Sequence, residues 1–458
     1  MLTRELKYDV VIVGLGPAGS SLAYMLRKTG LRIAGLDWVD WDHLWGKPCG
    51  DAIGAHHFEE TGLPHPQPPA LMQKVSGIDI YSPSEEIRLR VYGEGYMISR
   101  NLYGRSLVKE AMDSGVDIYL KTRVGQVIME NGKLRGVAAT TRDGEKLRFY
   151  ADIIVDATGS GGSIRRKLPP SWPVNEPLKK TDAAVAYRRI VELGYDIEEP
   201  EFIRIYLNQR IAPGGYWWFF PKGKRSANIG LGVQGGRGHP HPAQIYRDVL
   251  MKRPEVGSEV KVIADSGALV PTRRPANTLV WDNFIGIGDN GYTVNPIHGG
   301  GMGYAMTAAR HAYETIMEAF EKGDYTRRGL WGLNLRYMKG LGAKQAGLDI
   351  FRIFLQQLDD EEIEWGIRTG IMRASEAYET SVKGELKANL GIVEKARILA
   401  KLLGRPSMLL KLKMVADYMK QVKTLYKAYP ENPEALPKWV DSVEQLYKEY
   451  KEKLGVTW

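Results

Sequence analysis

Residues 8–19 leave the start of this chain few ways to fold. Tyr8 to Val13 (Tyr-Asp-Val-Val-Ile-Val) is the apolar run expected of a parallel strand buried on both faces. Gly14-Leu-Gly16-Pro17-Ala18-Gly19 follows at once, and Ser20 to Arg27 reads as a helix. Gly14 allows the tight turn, Gly16 lets backbone approach a pyrophosphate, and Gly19 packs helix on strand. The helix start, with Pro17 and Ala18, offers amide donors and positive dipole to phosphates. A second strand, Leu31 to Leu36, ends in Asp37, at the distance expected for holding ribose hydroxyls. The glycines alone would be a weak sign. Strand, glycines, helix, strand and acid in register specify a dinucleotide-binding unit.

Two later segments refine this. Ala151 to Gly159 (Ala-Asp-Ile-Ile-Val-Asp-Ala-Thr-Gly) is a strand ending in a small-residue turn, with Ser163 and Arg165 just beyond. Asn283 to Asp289 is another strand ending in Gly-Asp, followed by Pro296, by Gly299-Gly300-Gly301-Met302-Gly303 and by an alanine-rich helix. In this order the segments resemble the FAD-containing family typified by p-hydroxybenzoate hydroxylase. The resemblance implies an α/β (α+β) fold with a Rossmann-type FAD-binding domain, an antiparallel β-sheet substrate domain and a C-terminal helical region. It implies FAD as the cofactor, with Asp289 at the ribityl chain and Gly300, Gly301 and Met302 against flavin ring and phosphates. Arg100, in Ile-Ser-Arg-Asn-Leu, matches the family's arginine near the flavin, and Val124 matches the backbone position that reads adenine.

Between these segments the periodicity changes. Ile78–Tyr81, Ile87–Val91 and stretches between Ala183 and Val191 alternate apolar and polar residues, which predicts an antiparallel sheet with one face toward the cofactor. The resulting boundaries are 1–74, 98–174 and 276–330 for a discontinuous FAD-binding domain, 75–97 and 175–275 for the substrate domain, and 331–458 for a helical domain. In the last, Trp439, Val443, Leu446, Tyr447, Tyr450 and Leu454 form a stripe of helical period. Ala400 to Leu425, with Leu409-Leu-Lys-Leu-Lys-Met, reads either as a membrane-surface helix or as a packed helix capping the substrate cavity.

Composition excludes several function classes. With 43% hydrophobic and 26% charged residues among 458, the chain is an ordinary globular one of two or three domains. No stretch approaches the roughly 18–20 apolar residues of a membrane span. The first residues show no signal-peptide layout, which predicts a cytoplasmic protein. The net charge of +9 suits nucleotides, phospholipid headgroups or an acidic redox protein, unless it is a diffuse surface excess. No Arg-rich run or RNA-reading motif points to nucleic acid. Cys49 is the single cysteine, so neither an internal disulfide nor a Cys-rich metal site is expected, and the eight histidines contain no HExxH.

The remaining signal is aromatic. Residues 213–221 read Pro-Gly-Gly-Tyr-Trp-Trp-Phe-Phe-Pro. As a strand, this places Tyr216, Trp218 and Phe220 on one face and Trp217 and Phe219 on the other, both needing burial. After Pro221 come eight residues and then Gly230-Leu-Gly232; earlier, Lys47-Pro48-Cys49-Gly50-Asp51 follows the second strand. Together these resemble the geranylgeranyl reductases, in particular the archaeal digeranylgeranylglycerophospholipid reductases.

That resemblance implies reduction of isolated C=C bonds in geranylgeranyl chains of archaeal ether-lipid precursors, by hydride from reduced flavin N5 and a proton from a site donor. It places Pro48, Cys49, Gly50 and Asp51 against the cofactor, and the electron donor would be NADPH or reduced ferredoxin. A membrane-lipid substrate implies peripheral contact with the inner face of the cell membrane. An apolar chain without hydrogen-bonding handles needs an aromatic and aliphatic tunnel, so Trp218 and Phe220, with Tyr216, are the candidate substrate-binding residues. Cys49 is the first candidate proton donor and Tyr216 the second; the alternative is that Cys49 only packs beside the flavin. A flavin-dependent monooxygenase or halogenase of the same fold is the rival reading. Halogenases carry Trp-x-Trp-x-Ile-Pro, from which Tyr216 and Phe220 depart.

Overall fold

The computed structural model describes residues 3–370 and 405–458. Residues 371–404 of the expected helical domain lie outside the described residues, as does the start of the helix expected from Ala400.

The expected parallel strands form the middle of the first sheet. Arg4–Val13 lies between Ile33–Leu36 and Lys146–Asp156, parallel to both; Asp117–Tyr119 extends one side and Phe284–Gly286 the other. This central place explains the apolar run: Val10, Val11 and Ile12 have no solvent exposure. The register sets Val13 level with Leu36 and with Asp156, so three strands end together. In open parallel sheets, ligands bind beyond such carboxyl ends. An antiparallel hairpin, Thr122–Glu130 with Lys133–Thr141, joins the sheet beside Lys146–Asp156. The helices Pro17–Leu26 and Met302–Lys322 pack against each other over the strands.

The second sheet has eight strands, in the order Glu259–Val270, Ala184–Leu193, Ser226–Gln234, Tyr216–Pro221, Phe202–Tyr206, Leu71–Tyr81, Arg88–Ile98 and Ala52–Gly54. It departs from the expected antiparallel sheet at one pair: Phe202–Tyr206 runs parallel to Leu71–Tyr81. The chain leaves the sheet to build part of the first one and re-enters in the same direction. One strand also begins before the expected 75–97 segment, and another lies wholly outside it. Leu71–Tyr81 starts four residues before it, and Ala52–Gly54 is too short to show any alternation.

The C-terminal region is helical where described. Pro406–Lys427 packs on Ala343–Leu355 and buries Val415, Met419, Val422 and Tyr426. Of the two readings for 400–425, the packed helix holds over this stretch. In Leu436–Leu454 the expected stripe faces inward, and Tyr450 and Tyr447 donate hydrogen bonds to the carbonyls of Ile350 and Ala346. Among the described residues, no helix is long and apolar enough to cross a membrane.

Candidate functional site

A cavity of about 2060 Å³ runs from the carboxyl ends of the parallel strands to one face of the second sheet and on beneath the C-terminal helices. A pocket for one small ligand has roughly 300–1,000 Å³. There is room here for a dinucleotide and a second, long ligand.

At one end, Gly14 adopts φ +93°, and a methyl group there would lie 2.5 Å from the Ala157 carbonyl oxygen. A methyl on Gly19 would lie 1.8 Å from the Gly14 oxygen, so Gly19 sets helix–strand packing behind the cavity wall. Gly16 faces open space, and the helix Pro17–Leu26 starts with no side-chain cap and no acidic residue in its first turn. Its N-terminal N–H groups are therefore available to an anion. Asp37 accepts hydrogen bonds from the backbone N–H of Leu15 (2.6 Å) and Val39 (3.2 Å). Burial pushes its carboxyl above the usual range, against those two bonds. Pro17, Ala18, Asp37 and Val124 all border the cavity.

Further along, Pro48, Asp289, Gly300, Gly301 and Met302 line the wall, and Asp289 is paired with Lys47. Arg100 donates to the Lys47 carbonyl, while its buried Nε has no partner in the protein. An uncapped helix start, an empty space at Gly16 and an orphaned guanidinium nitrogen fit an acceptor-rich dinucleotide.

The floor is the second sheet. Tyr216, Trp218 and Phe220 face the cavity; Trp217 and Phe219 have no exposure and belong to the core behind it, where Trp217 stacks on Tyr206 with centroids 3.6 Å apart. The neighbouring strand sets Gly232 opposite Tyr216 and Gly230 opposite Trp218. An aromatic strand thus lies beside one that carries only glycine opposite Tyr216 and Trp218, and Gly232, which borders the cavity, leaves width for a chain-like ligand.

The turn Lys47–Asp51 rests on this floor. A methyl on Gly50 would lie 2.8 Å from the Phe220 ring. Asn228 ties turn to floor: its Oδ1 accepts from the Trp218 indole N–H (3.0 Å), and its Nδ2 donates to the Cys49 carbonyl (2.7 Å) and to Asp51 Oδ2 (3.0 Å). Lys222 Nζ donates to the same carboxylate oxygen (2.7 Å) and to the Ile98 carbonyl (3.0 Å). Asp51, at φ +65°, is consequently a buried anchor of the turn and does not border the cavity, unlike Pro48, Cys49 and Gly50. The carboxylate of Asp51, a residue expected beside the cofactor, is taken up by Lys222 and Asn228.

Both candidate proton donors border the same part of the cavity. Cys49 is half-buried and carries the free thiol. The Tyr216 hydroxyl donates to the His298 carbonyl (2.6 Å), and burial, with Cys49 nearby, pushes its pKa well up. A polar corner adjoins them: His57, His298 and Lys344 also line the wall. Burial pushes these bases down, His57 to about 3, His298 to about 4 and Lys344 to about 8.

Sequence reasoning passed over Asn228, Lys222 and Arg188. A signal existed for Asn228, which shares with Gly230 and Gly232 the non-apolar face of an alternating Asn-Ile-Gly-Leu-Gly run. Lys222 directly follows Pro221, and nothing in the sequence marks it as buried.

A family model described as the geranylgeranyl reductase catalytic domain matches residues 182–270. The digeranylgeranylglycerophospholipid reductase of Sulfolobus acidocaldarius is 44% identical over 453 residues, covering 99% of this chain and 100% of that protein. The protein of the same name from Methanothrix thermoacetophila is 30% identical over 365 residues, 78% of this chain and 90% of that one. Among solved structures, a geranylgeranyl bacteriochlorophyll reductase-like protein of Thermoplasma acidophilum superposes with TM-score 0.76 at 22% identity, covering 90% of this chain and all of that one. The myxobacterial chondrochloren halogenase, described as a variant of the FAD-dependent halogenases, gives TM-score 0.62 at 16% identity, with 87% of this chain and 97% of that one covered. The two structures establish a shared fold.

Proposed function

The chain belongs to the digeranylgeranylglycerophospholipid reductase family, and from that premise we propose that it is an FAD-dependent reductase saturating the isolated C=C bonds of geranylgeranyl chains in archaeal ether-lipid precursors. The observation that carries this reading is the cavity floor, an aromatic strand beside a glycine-lined one, continuous with a site suited to a dinucleotide. Gly14, Gly16 and the start of the Pro17–Leu26 helix take the pyrophosphate, Asp37 the ribose, and Val124 the adenine. Arg100, Pro48, Cys49, Gly50, Asp289, Gly300, Gly301 and Met302 surround the ribityl–flavin part.

Bound and reduced, the flavin supplies hydride at N5. The protein must hold the alkene, exclude water and deliver one proton to the other alkene carbon. Trp218 and Phe220 hold the chain through contact area, and their ring faces stabilise positive charge developing at the more substituted carbon. Cys49 delivers the proton, with Tyr216 second in line because its hydroxyl hydrogen is engaged by the His298 carbonyl. The electron donor is NADPH or a reduced ferredoxin; the net charge of +9 suits an acidic ferredoxin. The protein works in the cytoplasm, at the inner face of the membrane that holds its substrate.

The test is anaerobic incubation of chemically reduced holoenzyme with the unsaturated lipid, followed by mass spectrometry. A reductase adds two hydrogens per double bond without oxygen. A product formed only with oxygen would overturn the reading in favour of a monooxygenase or halogenase. Reduced FAD that the lipid fails to reoxidise would indicate a non-catalytic flavoprotein.

A further inference from the structure

Two buried arginines at the cavity have no counterion among the described residues. Lys222 is matched by Asp51, and Lys47 by Asp289. Arg100 and Arg188 are each 8% exposed, line the cavity and form no ion pair among the described residues. Arg100 leaves Nε without a partner, and Arg188 leaves both Nε and Nη1 without one. Arg188 stands on Ala184–Leu193 directly opposite Gly230, where a methyl would lie 2.7 Å from its Cβ. It is thus on the same sheet face as Trp218 and Asn228, beside the turn that carries Cys49. Burial works against its charge, and the acid that offsets this most, Asp51, is already held by Lys222 and Asn228. A guanidinium cannot shed its proton as a lysine can. A buried, unpaired one therefore points to an acceptor supplied from outside the chain.

We propose that Arg188 donates hydrogen bonds to the bound flavin and stabilises its reduced, anionic state. This rests on the FAD-reductase reading. Oxidised flavin that takes up two electrons and one proton from the donor carries one negative charge; uptake of a second proton neutralises it. A fixed cation with free N–H groups favours the first product. A lipid phosphate is the less suitable occupant, because Arg188 stands across Gly230 from Trp218, in the stretch proposed to hold hydrocarbon.

The experiment is an anaerobic redox titration of the wild-type, Arg188→Met and Arg188→Lys holoenzymes, repeated across pH, with FAD content measured on each. For Arg188→Met at full FAD content, the reduced-to-oxidised ratio at fixed potential falls about tenfold, which is about 30 mV for a two-electron couple. Proton uptake rises from one to two per two electrons, read as a doubled slope of potential against pH. Arg188→Lys restores both. Unchanged potential and slope in Arg188→Met overturn the proposal. Should Arg188→Met fail to hold FAD, Arg188→Lys against Arg188→Gln decides it by the same two readouts. A shift produced only by added inorganic phosphate would also overturn it, in favour of a substrate-phosphate subsite. No lipid enters these titrations, so failure of the reductase reading shows separately, as absent double-bond reduction by the wild type.

Discussion

Trp218 and Gly230 face each other across adjacent strands, and the indole fills the space that a side chain on Gly230 would need: a methyl there would lie 2.5 Å from Cζ2 and 2.5 Å from the Tyr187 carbonyl oxygen. Gly232, two residues on and opposite Tyr216, has nothing within 4 Å. The two glycines of the Gly-Leu-Gly run therefore serve different ends, one shaping the protein and the other leaving the cavity open.

Substitution separates them. Gly230→Ala overpacks the floor and should cost about 1–3 kcal/mol of stability. Gly232→Ala should leave stability within about 0.5 kcal/mol, since it meets no protein atom. It fills part of the cavity, so the loss should appear as a raised KM for long polyprenyl substrates. Denaturant midpoints and steady-state kinetics on the two variants check this; equal destabilisation would contradict it.

Lys222 and Asp51 form a buried ion pair, each side chain 5% exposed. Lys222→Met leaves the Asp51 carboxylate with only Asn228, in a turn whose backbone is already left-handed at that residue. Removing one partner of such a pair costs roughly 3–5 kcal/mol. Because the turn also carries Cys49 and Pro48, the variant should purify with depleted FAD. Flavin absorbance per protein and a thermal melt report the two effects.

This pair shows where the sequence was mute. The glycine turn, the parallel strands and the two-faced aromatic strand were legible because each is a local pattern with its own period. Pairing of Phe202–Tyr206 with Leu71–Tyr81, or of Lys222 with Asp51 across 171 positions, leaves no spacing to read. The reading of Asp51 beside the cofactor rests on the match of its turn to a family motif. A motif gives the position of a backbone and not the direction of a carboxylate.

Acid should destabilise the protein through two histidines on the cavity wall. His57, half-buried, and His298, open to the cavity, are held down by desolvation at about 3 and about 4. Unfolded, they take up protons near pH 6.5. Below about pH 6.5 the unfolded state thus binds more protons, and stability falls as pH falls toward those folded values. Above that pH the two make no contribution. His57→Gln should flatten this acid limb by up to a few kcal/mol, at about 1.4 kcal/mol per pH unit of displacement. Lys344, held at about 8 by burial, acts in a separate window. Stability should rise with pH between about 8 and the unfolded lysine value near 10.4. Denaturant midpoints across pH for wild type, His57→Gln and Lys344→Gln measure both limbs.

The proton donor can be isolated because Cys49 is the only thiol among 458 residues. Cys49 borders the cavity, whereas the Tyr216 hydroxyl hydrogen is directed at the His298 carbonyl. Cys49→Ala should therefore slow lipid-driven reoxidation of reduced flavin by about 10²–10⁴-fold, the usual contribution of a positioned general acid. Tyr216→Phe keeps the ring that walls the tunnel and loses only the hydroxyl, so it should slow the step by less. Both are measured in single anaerobic turnovers on enzyme of normal flavin content. A thiol-alkylating reagent, able to reach one site only, should reproduce the Cys49→Ala defect and leave that variant unaffected. Full turnover in both variants would return Cys49 to a packing role and require the proton to come from water.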